Sequence, residues 1–340
     1  MSLARAKWIL LALAALVPAA IALGLYSNTS RSRLGAAIVN EASNRSQTAC
    51  YSAATETQAV FCGHTVTSAA RMLRCGQAMW RVEYLSAPAT GILTGSDGEI
   101  QWRLVPGRDV IIRSASTPDD PRRLMENYRA RHVGYEKVAG RPVHVVNLID
   151  ARGRLARRLF VDRERFVVLR SQVFDRRGRL VGETTIQQIH FLPQLPVNLF
   201  QIPSDYWPPV TQRQSPRECA VSTEALGKAA GFQVAIPRWL PESYTLKAAC
   251  MLRCAHSCGC RVVHLRYSDG IRSLSVFETS KGHHATCPFN LEAQHGAATP
   301  KHPVQYGPGT AFADLGKAPF IIAFGDLPGD QLEKVVRSAR

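Results

Sequence analysis

Four cysteines crowd into eleven residues of the sequence, in the run CMLRCAHSCGC at 250–260. A second run, SKGHHATCPF at 280–289, adds two histidines and a fifth cysteine. Thiolates and imidazoles at this density can form tetrahedral zinc sites, softer copper(I) sites, disulfides or reactive thiols. The candidate residues for a metal site or for disulfides are Cys250, Cys254, Cys258, Cys260, His283, His284 and Cys287.

Strand direction brings the two runs together. Residues 244–250, 261–267 and 272–279 are expected to be successive antiparallel strands, so that both cysteine-bearing loops leave from the same end of a sheet. The spacing C-x3-C-x3-C-x-C is neither the paired CxxC of a zinc ribbon nor the CxxCH of haem attachment. An exported domain favours disulfides, but metal ligands and reactive thiols stay open as alternatives.

The choice between disulfides, metal ligands and reactive thiols depends on the cellular compartment, and the N-terminal residues predict that compartment. Arg5 and Lys7 precede an apolar run at 8–25, and polar residues follow at 27–33. This pattern predicts a signal peptide over 1–30, or an uncleaved membrane anchor, because the run approaches the length of a bilayer span. Under both readings the rest of the chain lies in the periplasm or elsewhere outside the cytoplasmic membrane.

The formal net charge of +16 is dominated by arginine, and ten arginines fall between 152 and 179. In the cytoplasm such a patch would indicate nucleic acid, but for an exported chain we expect no nucleic-acid partner. Anionic lipid, phosphorylated sugar or an acidic protein surface fits instead. An ordinary solvated sheet face is an equal alternative. The candidate residues for binding an anionic ligand are Arg154, Arg157, Arg158 and Arg170.

Turn signals divide the chain into two domains. From 80 to 190, short segments rich in β-branched and aromatic residues alternate with turns about every dozen residues, which predicts a large antiparallel sheet, flat or curled into a partial barrel. The proline-rich segment 208–218 predicts a linker, and 219–340 predicts a small α+β domain in which Ser222 begins a helix and Gly231 ends it.

Two further local expectations concern the first domain. The segment STPDDPRRLMENYRARHVG predicts a helix with Pro121 in its first turn and Gly134 at its end. The stretch 40–79 carries few signals of regular structure, although two of its three cysteines, Cys50, Cys62 and Cys75, could pair.

We find no motif of an enzyme. The sequence contains no G-x-S-x-G elbow, no H-E-x-x-H, no Walker loop and no G-x-G-x-x-G after a strand. We therefore expect a binding protein, with no cofactor other than a zinc or copper ion at the cysteine-rich loops.

The order of motifs across both domains resembles the MucB/RseB family of envelope-stress regulators, whose larger domain is similar to the lipoprotein carriers LolA and LolB. The resemblance rests on GSDGEIQWRLVPG, which places Trp102 after an Asp-Gly turn, and on Ala139-Gly140-Arg141. In the second domain it rests on PRWLPESYTL, on VVHLRYSDGIRSLSVFE with its turn at 267–270, and on FGDLPGDQLEKVV.

The resemblance implies an α+β fold: a half-open antiparallel β-barrel with covering helices over 46–207, and a smaller α+β domain over 219–340. It further implies a non-enzymatic regulator that binds the periplasmic segment of an anti-sigma factor and senses a lipid, lipopolysaccharide included. It assigns no partner-contact residue to this chain. The alternatives are a lipid or lipoprotein carrier of the LolA type, and a metal- or redox-sensing module built on the cysteine-rich loops.

Overall fold

In the computed structural model, two antiparallel sheets and four α-helices make up most of the described chain. The structure describes residues 29–61, 64–106, 111–114, 121–203, 218–219, 222–253, 261–280, 303–306 and 309–340. Most of the expected leader and most of the expected linker lie outside these residues. Within the described part, no helix has the length and hydropathy of a membrane span.

The first sheet has eleven strands and is open. Its strands are β1 (Cys50–Phe61), β2 (His64–Cys75), β3 (Met79–Tyr84), β4 (Leu93–Asp97), β5 (Ile100–Leu104), β6 (Ile111–Ser114), β7 (Tyr128–Val138), β8 (Arg141–Asp150), β9 (Leu155–Asp162), β10 (Val168–Phe174) and β11 (Leu180–Leu192). The order is β6-β5-β4-β3-β2-β1-β11-β10-β9-β8-β7, which leaves β6 and β7 as edges among the described strands. Strand β7 nevertheless contacts β11, so this half of the sheet curls. The predicted half-open barrel is confirmed.

A helix that the sequence analysis did not predict begins the described chain. This helix, α1, covers 29–46. Ile38, Val39 and Ala42 lie on one side of it and join an apolar cluster with β7, β8 and β9. Gly35 approaches β7 so closely that a Cβ atom there would lie 2.8 Å from the backbone of Ala130. Helix α1 is therefore an integral part of the first domain.

The predicted helix ending at Gly134 is wrong over its second half. Helix α2 is Pro121–Asn127, and Tyr128 already begins β7. Strand β7 pairs along its length with β8 and buries Tyr128, Ala130 and His132 in alternation. Pairing with a neighbouring strand thus outweighs the local helical pattern.

The stretch 40–79, which carried few signals, forms the end of α1 and the hairpin of β1 and β2. Each of these strands is twelve residues long, and Cys50 lies opposite Cys75 in the register. The two cysteines form a disulfide, with their Cα atoms 4.0 Å apart. The expectation that two of the three early cysteines pair is therefore confirmed, and the bond ties the two ends of the hairpin together.

The second domain is a seven-stranded sheet with helices packed on it. Its strands are β12 (Glu218–Cys219), β13 (Thr245–Arg253), β14 (Arg261–Ser268), β15 (Ser273–Thr279), β16 (Val304–Tyr306), β17 (Gly309–Asp314) and β18 (Phe320–Gly325), in the order β12-β13-β14-β15-β18-β17-β16. Helix α3 (Thr223–Ala230) and helix α4 (Gly329–Ser338) bury Leu226 and Leu332 in the core. Ser222 caps α3 and Gly231 ends it with φ 79°, as predicted. The α+β second domain is confirmed.

Candidate functional site: the interdomain cleft and the arginine ladder

Two hairpin turns of the first sheet share the sequence D-x-R-G-R and the same internal bonding. They are 150–154, between β8 and β9, and 175–179, between β10 and β11. In each turn the aspartate Oδ1 accepts the backbone N–H groups two and four residues on, and Oδ2 accepts from the side chain of the last arginine. The glycines have φ near 78°, which favours glycine at that position. The motif places two arginine-bearing turns at the domain boundary.

The boundary is closed by a hydrogen-bonded group that we call the clasp, made of Asn127, Tyr128, Asp269 and Arg272. The Tyr128 hydroxyl donates to Asp269 Oδ2 at 2.7 Å, and Asn127 Nδ2 donates to the Asp269 carbonyl at 2.8 Å. Arg272 Nη1 donates to the Tyr128 oxygen at 3.4 Å. Burial raises the pKa of Tyr128, and the neighbouring Asp269 carboxylate raises it further. The clasp therefore keeps its phenol protonated and donating.

Beside the clasp lies a polar cleft of about 110 Å³ between the domains. The Arg272 side chain is 4% exposed there, and its guanidinium lies 3.4 Å from the Asp326 carboxylate and 3.9 Å from the Asp150 carboxylate. Burial raises the pKa of Asp326 despite the nearby Arg272. Across the cleft, Arg176 Nη1 donates to Gln331 Oε1 of α4 at 3.2 Å. Arg272 therefore has acidic neighbours and Arg176 an amide neighbour, and these contacts join the two domains.

The four arginines expected to bind an anion are distributed over different places. Arg154 lies in the first D-x-R-G-R turn and pairs with Asp150 at 2.7 Å. Arg157 and Arg158 are consecutive on β9 and therefore point to opposite faces. Arg157 Nε donates to Ser171 Oγ at 2.8 Å, and burial lowers the pKa of this guanidinium.

Arg158 belongs to a row of polar residues that we call the arginine ladder: Arg131, Asn147, Arg158, Gln172 and Glu183. These five residues are successive partners in the register from β7 to β11, so they share a face. Arg158 Nε donates to Asn147 Oδ1 at 2.8 Å. The sequence could not identify Arg131 as a member, because the relation exists only through strand register.

Arg170 lies beside the ladder, on the neighbouring row. Its guanidinium carbon lies 5.0 Å from the centre of the Phe160 ring, and its Nε lies 3.9 Å from Glu183 Oε1. Glu183 also accepts a hydrogen bond from Gln172. The single carboxylate of the ladder is thus occupied by Gln172 and Arg170.

The cysteine-rich candidates fall mostly outside the described residues, which exclude Cys254, Cys258, Cys260, His283, His284 and Cys287. Cys250 lies inside β13, opposite His264 on one side and Cys219 on the other, and it is disulfide-bonded. Arg253 pairs with Arg261, and Val263 with Glu278, so the two loops do leave from one end of the sheet. Among the described residues, no group of three or more His, Cys, Asp or Glu side chains is placed to hold a metal ion.

Comparison with known proteins finds similar sequences and structures. The family model described as the MucB/RseB N-terminal domain matches residues 76–211. The resemblance carried by the Asp-Gly turn before Trp102 and by the turn at 139–141 is therefore confirmed, since both lie within the matched residues.

A curated relative extends the similarity. The sigma factor AlgU regulatory protein MucB of Pseudomonas aeruginosa is 28% identical over 230 residues. The match covers 65% of this chain and 63% of that protein.

Solved structures share the arrangement of both domains. The crystal structure of MucB in complex with MucA(peri) has a TM-score of 0.57 and 21% identity, covering 89% of this chain and 97% of that one. The complex structure of Pseudomonas aeruginosa MucA/MucB has a TM-score of 0.56 and 20% identity, covering 88% and 96%. The shared fold includes both sheets.

Proposed function

We propose that this chain is an exported, non-enzymatic regulator that binds the periplasmic segment of an anti-sigma factor. The observation that carries the proposal is the two-domain correspondence with MucB, a protein whose solved complex contains MucA(peri). Both domains take part in that correspondence, which covers 89% of this chain. The disulfide between Cys50 and Cys75 supports export, because such bonds persist in oxidising compartments.

The clasp supports a regulatory role over a catalytic one. Its phenol links the Asp269 carboxylate and the Arg272 guanidinium across the domain boundary, which is the arrangement of a structural junction. We expect the partner segment to bind the two domains as one unit, because the clasp and the contact of Arg176 with Gln331 hold them together.

Binding can be tested with the full chain and the periplasmic segment of an anti-sigma factor from the same organism. We expect a stable complex at micromolar concentrations in calorimetry, and no complex with a scrambled version of the same segment. Failure of the native segment to bind at these concentrations would reject the proposed function.

The proposed signal is a lipid or another envelope component. We expect vesicles containing anionic phospholipid to displace the anti-sigma segment, and vesicles of phosphatidylcholine alone to leave the complex intact. The rival function, a carrier that encloses an acyl chain, is less well supported. Val143, Phe160 and Leu169 fill the apolar cluster of the curled half of the sheet and are at most 2% exposed.

For the cysteine-rich loops we infer a disulfide-bonded tip in place of a metal centre. Cys250, the member of the set whose bonding the structure describes, is in a disulfide. Elemental analysis after purification without chelators should find no stoichiometric zinc or copper, and thiol titration of the denatured protein should find few free thiols. Bound metal together with free thiols would favour the metal-sensing alternative.

A further inference from the structure

The arginine ladder carries positive charge that the protein itself does not neutralise. No carboxylate of the described residues lies within 4.0 Å of the Arg131 or Arg158 guanidinium, whereas the ladder's Glu183 is engaged by Arg170 and Gln172. Both arginines are only half-exposed. The Nε of Arg131 is buried and has no hydrogen-bond partner in the described structure. A partly desolvated guanidinium without a partner is costly, and an anion would remove that cost.

Strand register places the two arginines on either side of one amide. Arg131 on β7 lies opposite Asn147 on β8, and Asn147 lies opposite Arg158 on β9. Backbones two strands apart are about 10 Å from one another, so two arginine side chains can reach a common group above the middle strand. Because the three residues share a face, their N–H donors can converge there.

The chemistry of this arrangement selects a particular class of anion. One guanidinium forms two parallel bonds with a carboxylate, so a single carboxylate would leave the second arginine unneutralised. A phosphate monoester carries a charge of about −1.5 to −2 and three terminal oxygens, which matches two guanidinium groups and an amide. The neighbouring Phe160 and Phe174 rings lie under Arg170 and Arg158 and reduce the access of water from that side.

We propose that Arg131, Asn147 and Arg158 form a binding site for a phosphate monoester on the face of the first sheet. Arg131 and Arg158 hold the terminal oxygens from two sides, and Asn147 orients the Arg158 guanidinium through its Oδ1. The site deepens the proposed lipid signal and rests on that part of the proposed function, but it can be measured on the chain alone, without an anti-sigma segment. Its failure and the failure of partner binding are therefore distinguishable.

The primary test is calorimetric titration of the full chain with inorganic phosphate. We expect saturable binding that weakens by about tenfold or more in Arg131→Gln and in Arg158→Gln, since each removes charge-assisted hydrogen bonds. Arg157→Gln is the matched control: it removes the same charge from the next position of β9 but from the opposite face. It should leave phosphate affinity unchanged once the variant is shown to be folded.

A second variant tests the site without removing an arginine. Asn147→Asp puts a carboxylate between the two guanidinium groups and should take the place of the ligand. We expect this variant to melt at a higher temperature than the unmodified chain and to lose phosphate binding. Lower stability, or undiminished phosphate binding, would overturn the proposal.

The source of the phosphate is decided by two further titrations. Vesicles of phosphatidylcholine with phosphatidic acid present the group on a lipid, and glucose 6-phosphate presents it on a soluble sugar. Binding of either that is lost in Arg158→Gln supports the site and identifies the source. Absence of binding to inorganic phosphate, to the sugar and to the vesicles would refute it, as would equal losses in Arg157→Gln and Arg158→Gln.

Discussion

Among the described residues, each domain buries one carboxylate completely, and the two carboxylates behave in opposite ways. Asp162 in the first domain and Glu278 in the second are both 0% exposed. Burial alone would raise the pKa of Asp162, but hydrogen bonds from the Arg141 side chain and from the backbone of Arg165 and Glu164 outweigh it and lower the pKa. Asp162 is therefore charged in the folded protein.

Glu278 has no cation in hydrogen-bonding contact among the described residues. Its Oε2 accepts the Ala235 backbone N–H at 2.7 Å, and its Oε1 has no partner in the described structure. Burial raises its pKa to about 7, against which the Ala235 bond and the more distant Arg340 act only weakly. Two equally buried carboxylates therefore differ in ionisation. The number of hydrogen-bond donors that face each carboxylate, and not the depth of burial, determines whether it is charged.

The largest expected effect on stability comes from breaking the ion pair between Arg141 and the buried Asp162 carboxylate. Arg141→Ala leaves a charged, buried Asp162 with only backbone donors, and we expect it to lower the free energy of unfolding by about 3–5 kcal/mol. Chemical denaturation at neutral pH measures this loss. Arg165→Ala is the control, because Arg165 lies over the same Phe191 ring as Arg141 but forms no ion pair with the described residues. Equal losses in the two variants would show that the ion pair is not responsible.

Replacing the unpaired carboxylate of Glu278 should change the stability in the opposite direction. The folded-state pKa of Glu278 lies above the ordinary value of 4.5, so its contribution to stability is full below pH 4.5 and is lost as pH rises through about 7. Glu278→Gln removes the buried charge and should stabilise the protein above pH 7 by about 3 kcal/mol.

Denaturation curves across this pH range test the response of Glu278. Below pH 4.5 the variant should show no gain over the unmodified chain. A gain of the same size at every pH would contradict the assigned ionisation.

The hydrogen bonds of the clasp are expected to determine whether the two domains open together or separately. Tyr128→Phe removes the donor to Asp269 and should cost about 1–3 kcal/mol, because Asp269 Oδ2 then lacks that bond. Hydrogen exchange should accelerate in both sheets if the clasp couples them. Tyr135→Phe on the same strand is the control, since Tyr135 is 58% exposed. Acceleration restricted to one sheet would show that the domains open independently.

The smallest expected effect is confined to the second domain. Ser222 accepts the Ala225 backbone N–H at 3.1 Å as the cap of α3. Ser222→Ala should lower the free energy of unfolding by about 1 kcal/mol, and Ser222→Asn should restore most of it. If Asn fails to restore the loss, the capping bond is not its cause.

The sequence predicted the elements whose signals are local. The Asp-Gly turn before Trp102 and the cap of α3 depend on residues within a few positions of one another. Helix α1 was missed because its charged and polar residues follow an apolar leader that dominates the local pattern. Strands β1 and β2 were missed because their Ala, Ser and Thr residues lack strong alternation, and β11 supplies the partner that fixes them.

The candidate sites were harder to predict, for a topological reason. Arg158 and Arg170 were chosen from a run of arginines, but Arg131 joins Arg158 only through the register of β7, β8 and β9. Tyr128 and Asp269 are 141 residues apart in the chain, and no local pattern links them. Relations of this kind follow from strand pairing and domain contact, which composition and spacing do not encode.

The close approach of α1 to β7 has a mechanical consequence. Gly35 packs directly on the backbone at Ala130 and His132, so helix α1 cannot shift toward the edge strand β7 without a steric clash. Tyr128, at the start of the same strand, is the anchor point of the second domain. A pulling force applied at the start of α1 would therefore act in turn on α1, on the outermost strand β7 and on the domain junction.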